Sequence, residues 1–173
     1  MLSIEACPLP DGALLARYRT NGAFTDCYTT EVGLPVTIAR FVAAFYTTPV
    51  FRLERLVLAW ALSRPSTDAE AEQLASGRLE TFSAWRVEER REDQLLMSDV
   101  KGRTRSWFMV SPGQAGTGPG TRLYFGSAVL PVVDRATGAS RMSAGFRALL
   151  GFHHRYSELL LYSARTRLEA AGS

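Results

Sequence analysis

The chain has 173 residues and a mass of 19.1 kDa, enough for one domain with a substantial core and too little for two. Its 46% hydrophobic and 21% charged content excludes wholesale disorder. The net charge of +3 arises from 20 basic residues, of which Lys101 is the only lysine, and because the arginines are dispersed along the chain they argue against a nucleic-acid surface, which gathers positive charge on one face.

The first residues, MLSIEACPLPDG, have no basic start and no sustained apolar stretch, so they do not read as an export signal. Residues 1–12 and 171–173 are expected to be loose ends of a single domain. Cys7 and Cys27 have no CxxC spacing, no third cysteine and no nearby histidine, so neither metal nor redox chemistry is indicated. A reduced pair in a cytoplasmic protein is the expectation, with a disulfide between them left open. Residues 13–32 read as two extended runs around Thr20-Asn21-Gly22-Ala23, and Asn-Gly signals a tight hairpin. After Leu34-Pro35, residues Ile38, Phe41, Val42 and Phe45 repeat at helical spacing.

Thr48-Pro49 restarts a helix as N-cap and first helical position, predicting a second helix over 50–62. That stretch is the most apolar in the chain, but Arg52, Glu54 and Arg55 and its short length exclude a membrane span. Thr67-Asp68-Ala69-Glu70 is a capping box, and Gly77 stands where a left-handed C-cap residue is wanted. From Thr81 the period changes to two, predicting strands over 81–90, 94–100, 103–111 and 121–131 with connections too short for crossovers. Lys101-Gly102 as a two-residue turn sets Leu96 opposite Trp107, Ser98 opposite Arg105, Met97 opposite Ser106 and Leu95 opposite Phe108. Residues 134–145 read as a polar loop. A long helix then runs over 146–170, with Phe146, Leu149, Leu150, Tyr156, Leu160, Ala164 and Leu168 on one arc and Arg147, His154, Arg155, Glu158 and Arg165 facing away. His153 falls inside the apolar arc. The fold class is α+β.

Motif-like features are discounted on context. The glycine-rich segment 113–120 joins two strands, precedes no helix and lacks the Lys-Ser/Thr of a phosphate loop. His153 and His154 are adjacent and point about 100° apart on a helix, which argues against joint chelation of one metal ion. The run 86–91 interleaves arginines with Glu88 and Glu89, the pattern of a solvated strand face. No carboxylate pair, GxSxG elbow or cofactor motif is present. The aromatics are the remaining signal. Trp85, Trp107 and Tyr124 lie on the strands and Tyr156 on the last helix, with Met97 able to fill irregular gaps, so a semi-apolar pocket would gather them around His153, with Arg105 a partner for an anionic group at its wetter end. At least two of Trp85, Trp107 and Tyr124 are expected to face the last helix.

The order of strand, helices, antiparallel meander and long C-terminal helix resembles the START-like, or helix-grip, superfamily (SRPBCC). The resemblance rests on that order from about 24 to 170, on FRALLGFHHRYSELLLYSARTRLEA and on Phe82-Ser-Ala-Trp-Arg-Val. It implies an antiparallel curved sheet packed on the C-terminal helix and enclosing a cavity for a small apolar molecule. The superfamily usually has six strands after the helices, where this chain shows four, and the helical insert at 49–77 is longer. Three functions fit: a binder of a small apolar or amphipathic ligand, an enzyme of cyclase or isomerase type with His153, Tyr124 or Tyr156 polarising the substrate, and a solid-cored interaction domain. The first is the expectation, with Trp85, Met97, Arg105, Trp107, Tyr124, His153 and Tyr156 as ligand-binding residues and no metal, nucleic acid or membrane span.

Overall fold

A short turn and alternation along the strands organise the molecule. The computed structural model describes residues 4–20, 22–53, 55, 65–113, 120–133, 140–141 and 144–172. In chain order its elements are β1 (Glu5–Ala6), α1 (Ala16–Arg19), β2 (Phe24–Val32), α2 (Ile38–Tyr46), α3 (Asp68–Ala75), β3 (Thr81–Phe82), β4 (Trp85–Arg90), β5 (Gln94–Asp99), β6 (Thr104–Pro112), β7 (Thr121–Val129), β8 (Val132–Val133), β9 (Ser140–Arg141) and α4 (Ala144–Gly172). Among the described residues, the strands β1 to β7 form one antiparallel sheet in the order β1-β2-β7-β6-β5-β4-β3, and β8 pairs separately with β9. The curved sheet packs on the long C-terminal helix in a helix-grip-like arrangement.

The β5–β6 register is the expected one, with Leu95 facing Phe108, Leu96 facing Trp107, Met97 facing Ser106 and Ser98 facing Arg105, although the turn bond closes Asp99–Gly102, Gly102 N donating to Asp99 O at 2.9 Å, rather than a two-residue Lys101-Gly102 turn. Gly102 has φ 66°, which glycine adopts without a Cβ penalty. Other local signals also hold. Thr48 Oγ1 accepts from Phe51 N at 3.2 Å and Thr67 with Glu70 completes a capping box on α3, while Thr37, not singled out from the sequence, caps α2. Most of the helix expected over 50–62, with Trp60, lies outside the described residues, as do 114–119 of the glycine-rich segment, 134–139, and the side chains of Phe146, Leu149 and Leu150.

Three expectations change. The segment before Asn21 is not a strand: residues 13–20 form turns and α1, because Leu14, Leu15 and Tyr18 have helical spacing and bury their side chains against the sheet. The run 81–90 is broken by Ser83 at φ 53° and by a register shift between Val87 and Glu89. Residues 5–6, expected in a loose end, pair with β2.

Alternation sends the strand side chains into two cores. On one face, Tyr28, Leu95, Met97, Phe108, Leu123 and Phe125 pack with α2, α3 and α4, where Phe45 lies 4.8 Å from Phe108 and 4.7 Å from Phe125 between ring centroids. From α4 this core takes Leu160, Leu161, Ala164 and Leu168. On the opposite face, Cys27, Leu96, Trp107, Tyr124 and Ala128 are covered by Ala13, Leu14, Leu15 and Tyr18. Gln94 fastens that cover. Its buried Oε1 accepts from Leu14 N at 2.9 Å and Trp107 Nε1 at 2.8 Å, while its Nε2 donates to Gly12 O at 3.2 Å. Replacing Gln94 by leucine strands two buried donors, each worth about 1–3 kcal/mol. The urea midpoint of Gln94→Leu is therefore expected to drop by the equivalent of at least ~2 kcal/mol; a variant that unfolds with the parent would show that the cover is held otherwise.

Candidate functional site

The helix-side face of the sheet changes character toward the Asp26 end. The ladders place Asp26, Ser127, Ser106, Met97 and Val87 in one row across five strands, and Phe24, Val129 and Thr104 in the next. Asp26, Ser127 and Ser106 thus replace the aromatic residues that fill the same face farther along. Gly126 permits the close approach of β2 and β7 beside them, since a Cβ there would lie 2.7 Å from Asp26 O and 3.0 Å from Leu15 Cδ2.

Asp26 is the centre of this region. Its side chain is only 7% exposed, and a carboxylate so buried must find donors. Its Oδ1 accepts from Ser127 N at 2.8 Å and from Ser127 Oγ at 2.7 Å. A serine hydroxyl has one proton, so with that proton on Asp26 the 2.8 Å contact between Ser127 Oγ and His153 Nε2 requires His153 to donate. His153 Nε2 also lies 3.1 Å from Asp26 Oδ2, which accepts no hydrogen bond from a described residue. His154 approaches the same oxygen at 4.0 Å through Nδ1, and Nδ1 lies 2.5 Å from the Tyr28 hydroxyl. Burial, then the charge of Asp26, pushes the Tyr28 hydroxyl above the usual phenol range. Phe24 sets its ring edge-on to both imidazoles, with centroids 6.3 and 5.9 Å away.

The histidines therefore act as a pair, contrary to the expectation that His154 faces away. Residues about 100° apart can straddle the line along which a helix meets a sheet, and both side chains are long enough to reach one carboxylate beneath. This is not a hydrolase triad. Ser127 and Asp26 meet the same imidazole nitrogen, and the serine already gives its proton to the carboxylate, so this geometry does not make His153 a base for Ser127 Oγ. Among the described residues no three His, Cys, Asp or Glu side chains are placed to hold a metal ion.

The expected ligand-binding residues divide between the faces. Trp85, Met97, His153 and Tyr156 lie on the helix side: Met97 is fully buried, Trp85 and Tyr156 pack against the main core, and Trp85 Nε1 is a buried donor with no partner among the described residues. Phe152, 68% exposed, stacks on Tyr156 at 5.7 Å. Arg105, Trp107 and Tyr124 lie on the opposite face. Trp107 and Tyr124 belong to the second core, and Arg105 is committed to Glu88 at 2.6 Å and the Tyr18 hydroxyl at 2.9 Å. Only one of the three expected strand aromatics therefore faces α4. The bulge after Val87 also brings Glu88 to Arg105 and Tyr18, so this carboxylate is not simply solvated. Asp26 and Ser127 were missed, although Asp26 shares the strand parity of Phe24, Tyr28 and Val32, which marks it as an inward-facing acid.

A groove of about 520 Å³ runs between Pro35–Arg40 and the β6–β7 hairpin. Its one charged side chain, Arg40, donates to Pro35 O at 3.4 Å, and no other ionisable group converges there. Among the described residues no helix is long and apolar enough to cross a membrane. The chain matches no protein-family model, no curated protein and no solved structure.

The Asp26 arrangement depends on the close strand approach at Gly126. A methyl group there meets backbone that cannot rotate away, so Gly126→Ala is expected to cost about 2–3 kcal/mol in urea unfolding. An unchanged midpoint would mean that β2 and β7 separate freely at this point.

Proposed function

We propose that this protein binds a small amphipathic molecule, apolar in body and carrying an acceptor or anionic head, between the Asp26 end of the sheet and α4. The observation that carries this reading is the pair of imidazoles gathered over one buried carboxylate, with His153 25% and His154 40% exposed. His154 uses Nδ1 toward Tyr28, leaving Nε2 on the other edge of the ring as a donor for an incoming group. Phe24 and the Phe152–Tyr156 stack supply apolar surface beside the imidazoles. Few polar groups converging among aromatic walls is the usual make-up of a small-molecule site. The helix-grip-like arrangement supports a START-like relationship for the same reason, since it sets a curved sheet against one long helix.

The test uses two fluorescent probes with the same apolar rings, 1-anilinonaphthalene-8-sulfonate and N-phenyl-1-naphthylamine, only the first bearing an anionic head. The parent is expected to bind both saturably and the sulfonate about tenfold more tightly, the value of one charge-assisted contact of roughly 1.4 kcal/mol. His154→Leu should abolish that preference while moving the melting temperature by only a few degrees, because Asp26 keeps Ser127 and His153. Equal affinity for the two probes in the parent, or a His154→Leu titration that superimposes on the parent's, would refute the imidazole anchor.

A further inference from the structure

On the opposite face of β2, one residue along from Asp26, the fold brings the two cysteines together. Glu5 pairs with Thr29 and Ala6 with Tyr28, so the ladder continues to place Cys7 across from Cys27, and Cys7 N donates to Cys27 O at 2.9 Å. The sulfurs are unbonded and 3.3 Å apart. A disulfide is about 2.05 Å long, so closing it takes a shift of about 1.2 Å. The two thiols are unequally accessible: Cys27 is 4% exposed, whereas Cys7 is half-buried and opens with Cys27 onto a pocket of about 220 Å³ beside Pro8, Leu9 and Arg19.

We propose that Cys7 and Cys27 form a reactive dithiol that takes a small-molecule disulfide such as glutathione disulfide as its oxidant, with Cys7 attacking and Cys27 resolving. The hydrogen bond between the two sulfurs holds the Cys7 thiol below its ordinary range, and the charge of Arg122 adds to the effect, while the same bond and burial push Cys27 up. The exposed thiol is thus the one that ionises, as nucleophilic attack requires. In the first step the Cys7 thiolate attacks one sulfur of the disulfide, forming a mixed disulfide and expelling one thiolate. In the second, Cys27 attacks the Cys7 sulfur, its proton passing to a departing thiolate, and the second small thiol leaves. Cys7 and Cys27 are oxidised by two electrons, the small disulfide is reduced to two thiols, and the new bond ties the edge strand β1 to β2.

The full chain, reduced and then incubated with glutathione disulfide, is read by intact mass after maleimide capping. The parent is expected to lose two hydrogens and accept no maleimide. Cys27→Ser should accumulate a single glutathione adduct, and Cys7→Ser should remain unmodified while folded. In the reduced parent, maleimide should add to Cys7 at least tenfold faster than to Cys27, a readout that needs no variant. The proposal is overturned if the folded parent keeps two maleimide-reactive thiols, if it forms only intermolecular disulfides, if Cys27 reacts first, or if Cys7→Ser takes up glutathione as readily as Cys27→Ser.

Discussion

Trp107 and Phe108 are neighbours on β6, point to opposite faces of the sheet and are both fully buried. A strand with large aromatic side chains on both faces needs two covers, because leaving either ring in water forfeits roughly 1.5–3 kcal/mol of burial. The helices supply one cover. The other is the irregular segment of residues 13–18, too short to present a continuous helical face, and it is therefore held by side-chain bonds to its backbone. Gln94 serves this purpose, satisfying a main-chain donor, a main-chain acceptor and the Trp107 indole from one buried amide.

The two-cover arrangement also determines where polar chemistry can sit. Away from the Asp26 end, the helix-side face is filled by Phe41, Phe45, Tyr46, Phe108 and Phe125, a set of interlocking rings. At the Asp26 end the sheet offers a carboxylate and two serines, so the covering helix must bring donors there. The part of α4 that crosses this region carries His153 and His154, and the part beyond it carries Leu160, Leu161, Ala164 and Leu168. One helix thus changes chemistry along its length in step with the sheet beneath it.

The strand register was legible because a short connection combined with alternation leaves few pairings, and the capping signals at Thr48 and Thr67 were legible because they act within one turn of chain. The choice of face was not. Both sides of β6 are apolar near Trp107, so alternation separates Trp107 from Phe108 without saying which of them meets α4. That ambiguity put Trp107, Tyr124 and Arg105 on the wrong side. His154 was misplaced for a different reason: the angle between adjacent helical residues describes an isolated helix, whereas the reach to Asp26 depends on where the helix rests on β2. The cysteine pair was hidden because a spacing of 20 residues matches no local motif, and the two sulfurs meet only when β1 pairs with β2.

The central claim is that the imidazoles over Asp26 contact a bound amphipathic molecule. Its most direct test is side-chain imidazole NMR of the full chain during titration with 1-anilinonaphthalene-8-sulfonate. If the account is right, the ring resonances of His153 and His154 shift saturably and in step with the probe's fluorescence, while the Trp107 indole on the opposite face stays in place. Imidazole resonances that do not move at probe saturation, or a shift confined to the Trp107 side, would contradict it.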